Sequence, residues 1–95
     1  MILKIVRISA MWCPACIIMN KFWSNVEKEF SNIEFVTYDL DMDEDVVKEY
    51  TPGDILPVLI AFEDGKELKR TVGEKNLEGT MKFIEEVVEY GKENI

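Results

Sequence analysis

Histidine is absent from the 95 residues of this chain, and cysteine occurs only twice. Without an imidazole there is no His-centred acid–base chemistry, and two thiols fall short of a four-ligand zinc site within one chain. Two cysteines are also too few for the disulfide framework of a secreted miniprotein. Basic residues are scarce beside acidic ones, 11 against 19, and the net charge of −8 lacks the basic footprint that nucleic-acid binding requires. No apolar run reaches the length of a membrane span. Residues 1–8 are apolar but broken by Lys4 and Arg7, with no cleavage pattern after them. They are not read as a signal peptide, and a cytoplasmic location is the expectation.

What is present suits a packed domain. Size scaling gives about 65% of the unfolded chain's surface buried on folding, and the 47% hydrophobic and 11% aromatic content can fill that core. A single domain over residues 1–95 is expected, with no repeat, linker or low-complexity segment. The charge is lopsided: residues 1–38 are net +1 and residues 39–95 net −9.

Ile2 to Ile8 is short, rich in β-branched residues and mostly apolar, as a buried strand requires. From Cys13 the period becomes helical, with Cys16, Met19, Trp23, Val26 and Phe30 on one face and Ser31-Asn32 closing the helix. Ile33 to Leu40 reads as a second strand. Val46, Val47 and Tyr50 mark a short helix that stops at Thr51-Pro52-Gly53. Pro57 to Phe62 is a strand, Asp64-Gly65 a hairpin signal, and Glu67 to Val72 the returning strand. Leu77, Met81, Ile84 and Val88 would form the inward face of a last helix. The order β-α-β-α-β-β-α predicts an α/β fold with a four-stranded mixed sheet, parallel at first and closed by the antiparallel hairpin, with helices on both faces.

Asp39, Asp41, Asp43, Glu44 and Asp45 place five acids in seven positions. The first three have the early spacing of a calcium loop, but Glu44 stands where that loop needs Gly and Tyr50 where it needs a bidentate Glu. The run reads instead as a strand end passing into an N-cap at Asp43, with Glu44 and Asp45 favourable in the first helical turn.

Trp12-Cys13-Pro14-Ala15-Cys16 falls where a strand ends and a helix begins. Unpaired amides and the positive end of the helix dipole favour a thiolate at Cys13, and Pro14 suits the first helical position because it has no N–H to leave unpaired. Cys16, three residues on, shares the helical face, so the sulfurs can reach disulfide distance. The pattern predicts an exposed nucleophile with a resolving partner. A purely structural disulfide is the plainer reading, though so short a loop constrains the unfolded chain little. A metal would need a dimer sharing Cys13 and Cys16 from each chain.

With these residues in view, the chain resembles the thioredoxin family over nearly its whole length. The resemblance is carried by Trp12-Cys13-Pro14-Ala15-Cys16, Ile55-Leu56-Pro57-Val58 and Val72-Gly73. It implies a thioredoxin-like fold, a redox-active Cys13–Cys16 pair, and a cis peptide bond before Pro57. It also implies a substrate site at Trp12, Leu56, Pro57 and Gly73, where the Leu56 backbone pairs with an extended peptide. Met11, Trp12, Ala15, Leu56 and Gly73 would then form an apolar docking patch, although Met11 and Trp12 could equally be partly buried core. Cys13 would be the nucleophile and Cys16 the resolving thiol, with no cofactor and no metal. Disulfide-containing proteins are the expected substrates, a flavoprotein reductase of the thioredoxin-reductase type the electron donor, and a monomer the expected state.

The departures from the family pattern are specific. Pro14-Ala15 replaces Gly-Pro, nearer to the proline-first motif of glutaredoxins, and the N-terminal strand and helix common in thioredoxins are not found. Arg7 stands where thioredoxins often bury an acid, and Thr37 where a lysine is often found. Arg7 is expected either to turn outward or pair with an acid such as Asp39, or to stabilise the Cys13 thiolate with its charge. A glutaredoxin-like, glutathione-dependent enzyme is one alternative, opposed by the charge of Glu74 after Gly73. A binding module that uses the fold without turnover is another. The direction of flux depends on a reduction potential that ranges from about −270 to −120 mV among such dithiols.

Overall fold

The computed structural model describes residues 2–73 and 76–93. Its first strand, β1 (Leu3–Ser9), is buried at every position but Lys4. Such a continuous apolar run is what an inner strand covered on both faces needs. It pairs in parallel with β2 (Glu34–Asp39) and antiparallel with β3 (Val58–Glu63), and β3 pairs antiparallel with β4 (Lys66–Val72). The strand order is β2-β1-β3-β4, the mixed four-stranded sheet expected from the element order.

Alternation along the strands divides the core in two. Leu3, Ile5, Leu59 and Ala61 face α1 (Pro14–Glu29) and α3 (Leu77–Glu93), meeting Met19, Trp23, Val26, Ile84 and Val87. Val6, Ile8, Val58 and Ile60 face the other way. That side is covered by α2 (Glu44–Val47), which continues into a 3₁₀ turn at Lys48–Tyr50. Helices therefore lie on both faces. Among the described residues no helix is long and apolar enough to cross a membrane.

Two local expectations change. The buried stripe of α3 is Thr80, Phe83, Ile84 and Val87, while Leu77 lies exposed and Met81 and Val88 are only partly covered. The helix is rotated because Phe83 and Val87, rather than Leu77, fill the space left by Met19 and Trp23. Asp43 does sit at the N-cap of α2, but its side chain makes no capping bond and instead accepts from the Asp39 N–H at 2.9 Å. Asp39 in turn accepts from the amides of Asp41 and Met42, both at 2.9 Å, so these carboxylates hold the loop's own backbone. The hairpin turn is as expected, with Asp64 (φ 49°) and Gly65 (φ 87°) both in the left-handed region that a tight two-residue turn requires.

Truncating a fully buried side chain of α3 separates the two versions of its inward face. Ile84→Ala is expected to lower unfolding stability by about 2–5 kcal/mol, and Leu77→Ala by less than about 1 kcal/mol. Denaturant titration checks this, and equal losses at the two positions would contradict the rotated face.

Candidate functional site

The chain leaves β1 at Ser9, turns at Met11-Trp12 and enters α1 with Cys13 as the N-cap residue (φ −89°, ψ 116°) and Pro14 in the first turn. The first turn of a helix has amides without partners, and here a sulfur supplies one acceptor. Cys13 Sγ accepts from the Cys16 N–H at 3.3 Å, and the Cys13 N–H donates to Ala10 O at 3.2 Å. The Cys13 thiol donates to the Leu56 carbonyl at 3.7 Å. Both cysteines are free thiols. The nucleophile expected to be exposed is in fact covered, 5% accessible, because the Leu56–Pro57 segment closes over it; Cys16 is wholly buried. Burial, followed by the hydrogen bond with the Cys13 side chain, pushes the Cys16 thiol up to about 12. An Ala10 backbone hydrogen bond and the charge of Arg7 act in the opposite direction.

The Leu56–Pro57 peptide bond is cis. Pro57 is fully buried, and its carbonyl accepts from the Gly73 N–H at 2.8 Å, tying β3 to the end of β4 beside the dithiol. Gly73 has φ 72°, and a Cβ there would stand 3.1 Å from Ile55 Cγ2, so both conformation and space call for glycine. The structure thus brings Trp12, Cys13, Cys16, Leu56, Pro57 and Gly73 into one neighbourhood. The apolar surface differs from expectation. Leu56 turns its side chain into the core (8% accessible), while Ile55 (60%) lies exposed beside it in the chain, as do Met11 and Trp12 (61%), neither of which is core. Glu74 lies outside the described residues.

Arg7 departs from the first of its two sequence readings, the outward or Asp39-paired one. It does not turn outward, being only 7% accessible. Nor does it pair with Asp39: it stands opposite Thr37 in the β1–β2 register and gives its hydrogen bonds to Thr37 and Asn20. Its Nη1 donates to Asn20 Oδ1 at 2.8 Å and its Nε to Thr37 Oγ1 at 3.3 Å, while the guanidinium lies 4.6 Å from the Trp23 ring centroid. It lies on the α1 side of the sheet, against Asn20 and Trp23, and the thiol whose charge acts on it is that of Cys16. Burial lowers its pKa, and the charges of Cys16 and Glu27 raise it.

Sequence reasoning missed Asn20, Asp41 and Ile55. Asn20 was within reach, since it stands four residues after Cys16 on the same helical face. Asp41 Oδ2 accepts from the Trp12 indole N–H at 2.9 Å, so the acidic run borders the dithiol. Parallel pairing with Ser9 opposite Asp39 brings whatever follows the two strands out side by side, but the pairing itself is a tertiary fact. Among the described residues, no three His, Cys, Asp or Glu are grouped to hold a metal. A groove of about 640 Å³ lined by Ile2, Lys4, Tyr50 and Phe62 lies toward the opposite end of β1.

A dithiol at the start of the first helix, faced by a cis-proline loop at one end of a mixed sheet, defines a class of α/β redox folds. The thioredoxin family model matches residues 2–86, and the chain belongs to that family. It is 30% identical over 71 residues to the thioredoxin H-type of Fagopyrum esculentum, a match covering 75% of this chain but 60%, under two thirds, of that protein. With the thioredoxin of Chlamydia trachomatis serovar D it shares 29% over 82 residues, 86% of this chain and 79% of the relative. The crystal structure of thioredoxin from Trypanosoma brucei brucei superposes with a TM-score of 0.81 at 23% identity, over 93% of this chain and 76% of that one, a likeness of fold.

The raised Cys16 pKa links this site to stability. In the unfolded chain the thiol ionises near its ordinary 9, while in the fold it holds its proton to about 12. Above pH 9 the native state therefore binds more protons than the unfolded one, and stability falls as pH rises from 9 toward 12. The reduced wild type is expected to lose more stability over that window than Cys16→Ser, measured by denaturant unfolding at matched pH. Parallel curves would contradict it.

Proposed function

We propose that this protein is a thiol–disulfide oxidoreductase that reduces disulfides in other proteins. The observation that carries this reading is the free Cys13 sulfur at the start of α1, set between the Cys16 amide and the Leu56 carbonyl. Cys13 attacks the substrate disulfide as a thiolate, forming a mixed disulfide and expelling one substrate sulfur with its electron pair. Cys16 then attacks the Cys13 sulfur, expels the second and leaves a Cys13–Cys16 bridge. Two electrons pass to the substrate, and two protons follow from the protein thiols through solvent.

Membership of the thioredoxin family supports this activity, and the exposed Met11, Trp12 and Ile55 support a protein substrate, since they offer apolar surface next to the sulfur. In this reading Trp12 and the Leu56 backbone meet the substrate. Pro57 and Gly73 hold that edge in shape through their 2.8 Å hydrogen bond. A flavoprotein reductase of the thioredoxin-reductase type restores the dithiol, and the monomeric protein works in the cytoplasm, where thiols are kept reduced.

Cys13→Ser is expected to abolish reduction of a disulfide-bonded reporter protein. Cys16→Ser should accumulate a covalent adduct visible by mass spectrometry and released by dithiothreitol. Activity retained in Cys13→Ser would refute the assignment. Turnover with glutathione and its reductase, but not with the flavoprotein, would refute the choice of donor.

A further inference from the structure

The dithiol accounts for Cys13 and leaves open how the deeply buried Cys16 becomes a nucleophile. The charges that act on Cys16 are those of Cys13 at the N-cap of α1 and Arg7 from β1. Glu27, further along α1, acts on Arg7. Among the described residues, Arg7 has no carboxylate within ion-pair distance. Its three anchors, Asn20, Thr37 and the Trp23 ring, are all neutral, so they fix the guanidinium without cancelling its charge. Asn20 stands four residues after Cys16 and three before Trp23, neighbouring positions on α1, with Cys16 and Trp23 buried and Asn20 at the exposed border of that stripe. The residue that grips Arg7 Nη1 is thus about one turn, roughly 6 Å of helix rise, from the resolving cysteine.

We propose that Arg7 is a positioning residue for the resolving step, a fixed buried cation that favours the Cys16 thiolate without taking up its proton. The proposal rests on the reading of Cys13 and Cys16 as an exchanging dithiol. The Cys16 proton leaves to solvent, and its sulfur attacks Cys13 in the mixed disulfide. The Cys13–Cys16 bond forms as the substrate–Cys13 bond breaks, and the substrate sulfur departs with the electron pair. A guanidinium stays protonated throughout and cannot serve as the base. Resolution should therefore rise about tenfold per pH unit below the thiol's own ionisation, with no carboxylate inflection in the acid range.

The test uses an aromatic disulfide reagent such as dithiobis-nitrobenzoate, which releases one coloured thiolate when Cys13 attacks and a second when Cys16 resolves. Stopped-flow recording across pH separates the two bursts. Arg7→Met, which keeps length but removes charge, is expected to slow the second burst by about tenfold or more. The first burst should stay within about twofold. Arg7→Lys should recover most of the lost rate. A second burst unchanged in Arg7→Met, an Arg7→Lys rate no better than Arg7→Met, or an acid-range inflection in the wild type would each overturn the proposal. Asn20→Asp sets a carboxylate against the guanidinium and should also slow the second burst. It carries the test if Arg7→Met does not fold, and an unaltered rate there overturns the proposal as well. A wild type with no first burst would overturn the reading of Cys13 itself, which keeps the two failures distinct.

Discussion

The site depends on a sulfur doing what an oxygen usually does at a helix start. A helix needs an acceptor for the amides of its first turn, and Ser, Thr, Asp or Asn normally supplies it. In α1 that acceptor is Cys13 Sγ, bonded to the Cys16 amide at 3.3 Å. A neutral sulfur accepts weakly, whereas hydrogen bonds to ionised acceptors are shorter and stronger. The side chain that starts the helix is therefore also one of the two free thiols of the site. Cys16 is drawn in by the same arrangement, because its amide makes the bond while its side chain begins the buried stripe of α1.

The cover over this sulfur is equally structural. The Leu56 carbonyl receives the Cys13 thiol, Leu56 anchors its side chain among Ala10, Val47 and Val58, and Pro57 is tied to Gly73. Gly73 has Ile55 directly above where a Cβ would stand. Adding one carbon at residue 73 would thus press on the loop that covers the dithiol, two strand ends away in sequence.

Much of this was legible in the residues. Pro14 after Cys13 marked the helix start, the β-branched run from Ile2 marked an inner strand, and Asp64-Gly65 marked the turn, because each depends on local geometry. The inward face of α3 was misread by about one residue in each turn. Leu77 and Phe83 are equally apolar, and only the shape of the space beside Trp23 chooses between them. Cys13 was expected to be exposed because helix position says nothing of a loop more than forty residues away that closes over it. Arg7 was misplaced for a related reason. Alternation along β1 put it on the same face as Leu3 and Ile5, but its acceptors come from α1 and β2, and only tertiary contact reveals that they are neutral.

Two opposite charges border the dithiol, and magnitudes decide which governs it. Asp41 lies outside, bonded to the Trp12 indole at the exposed end of the acidic run. In water such charges are weakened by the high dielectric and screened beyond about 8–10 Å at physiological salt. Arg7 lies inside, against Trp23, where an effective dielectric near 20 rather than 80 makes each interaction about four times stronger. The net charge of −8 therefore says little about the sulfurs. The acidic run, joined to Trp12 through Asp41, acts on what approaches the surface, while the buried thiol responds to one cation. Because the anchors of that cation are neutral, its charge is not spent on an ion pair, and the ionisable groups whose charges act on it are Cys16 and Glu27.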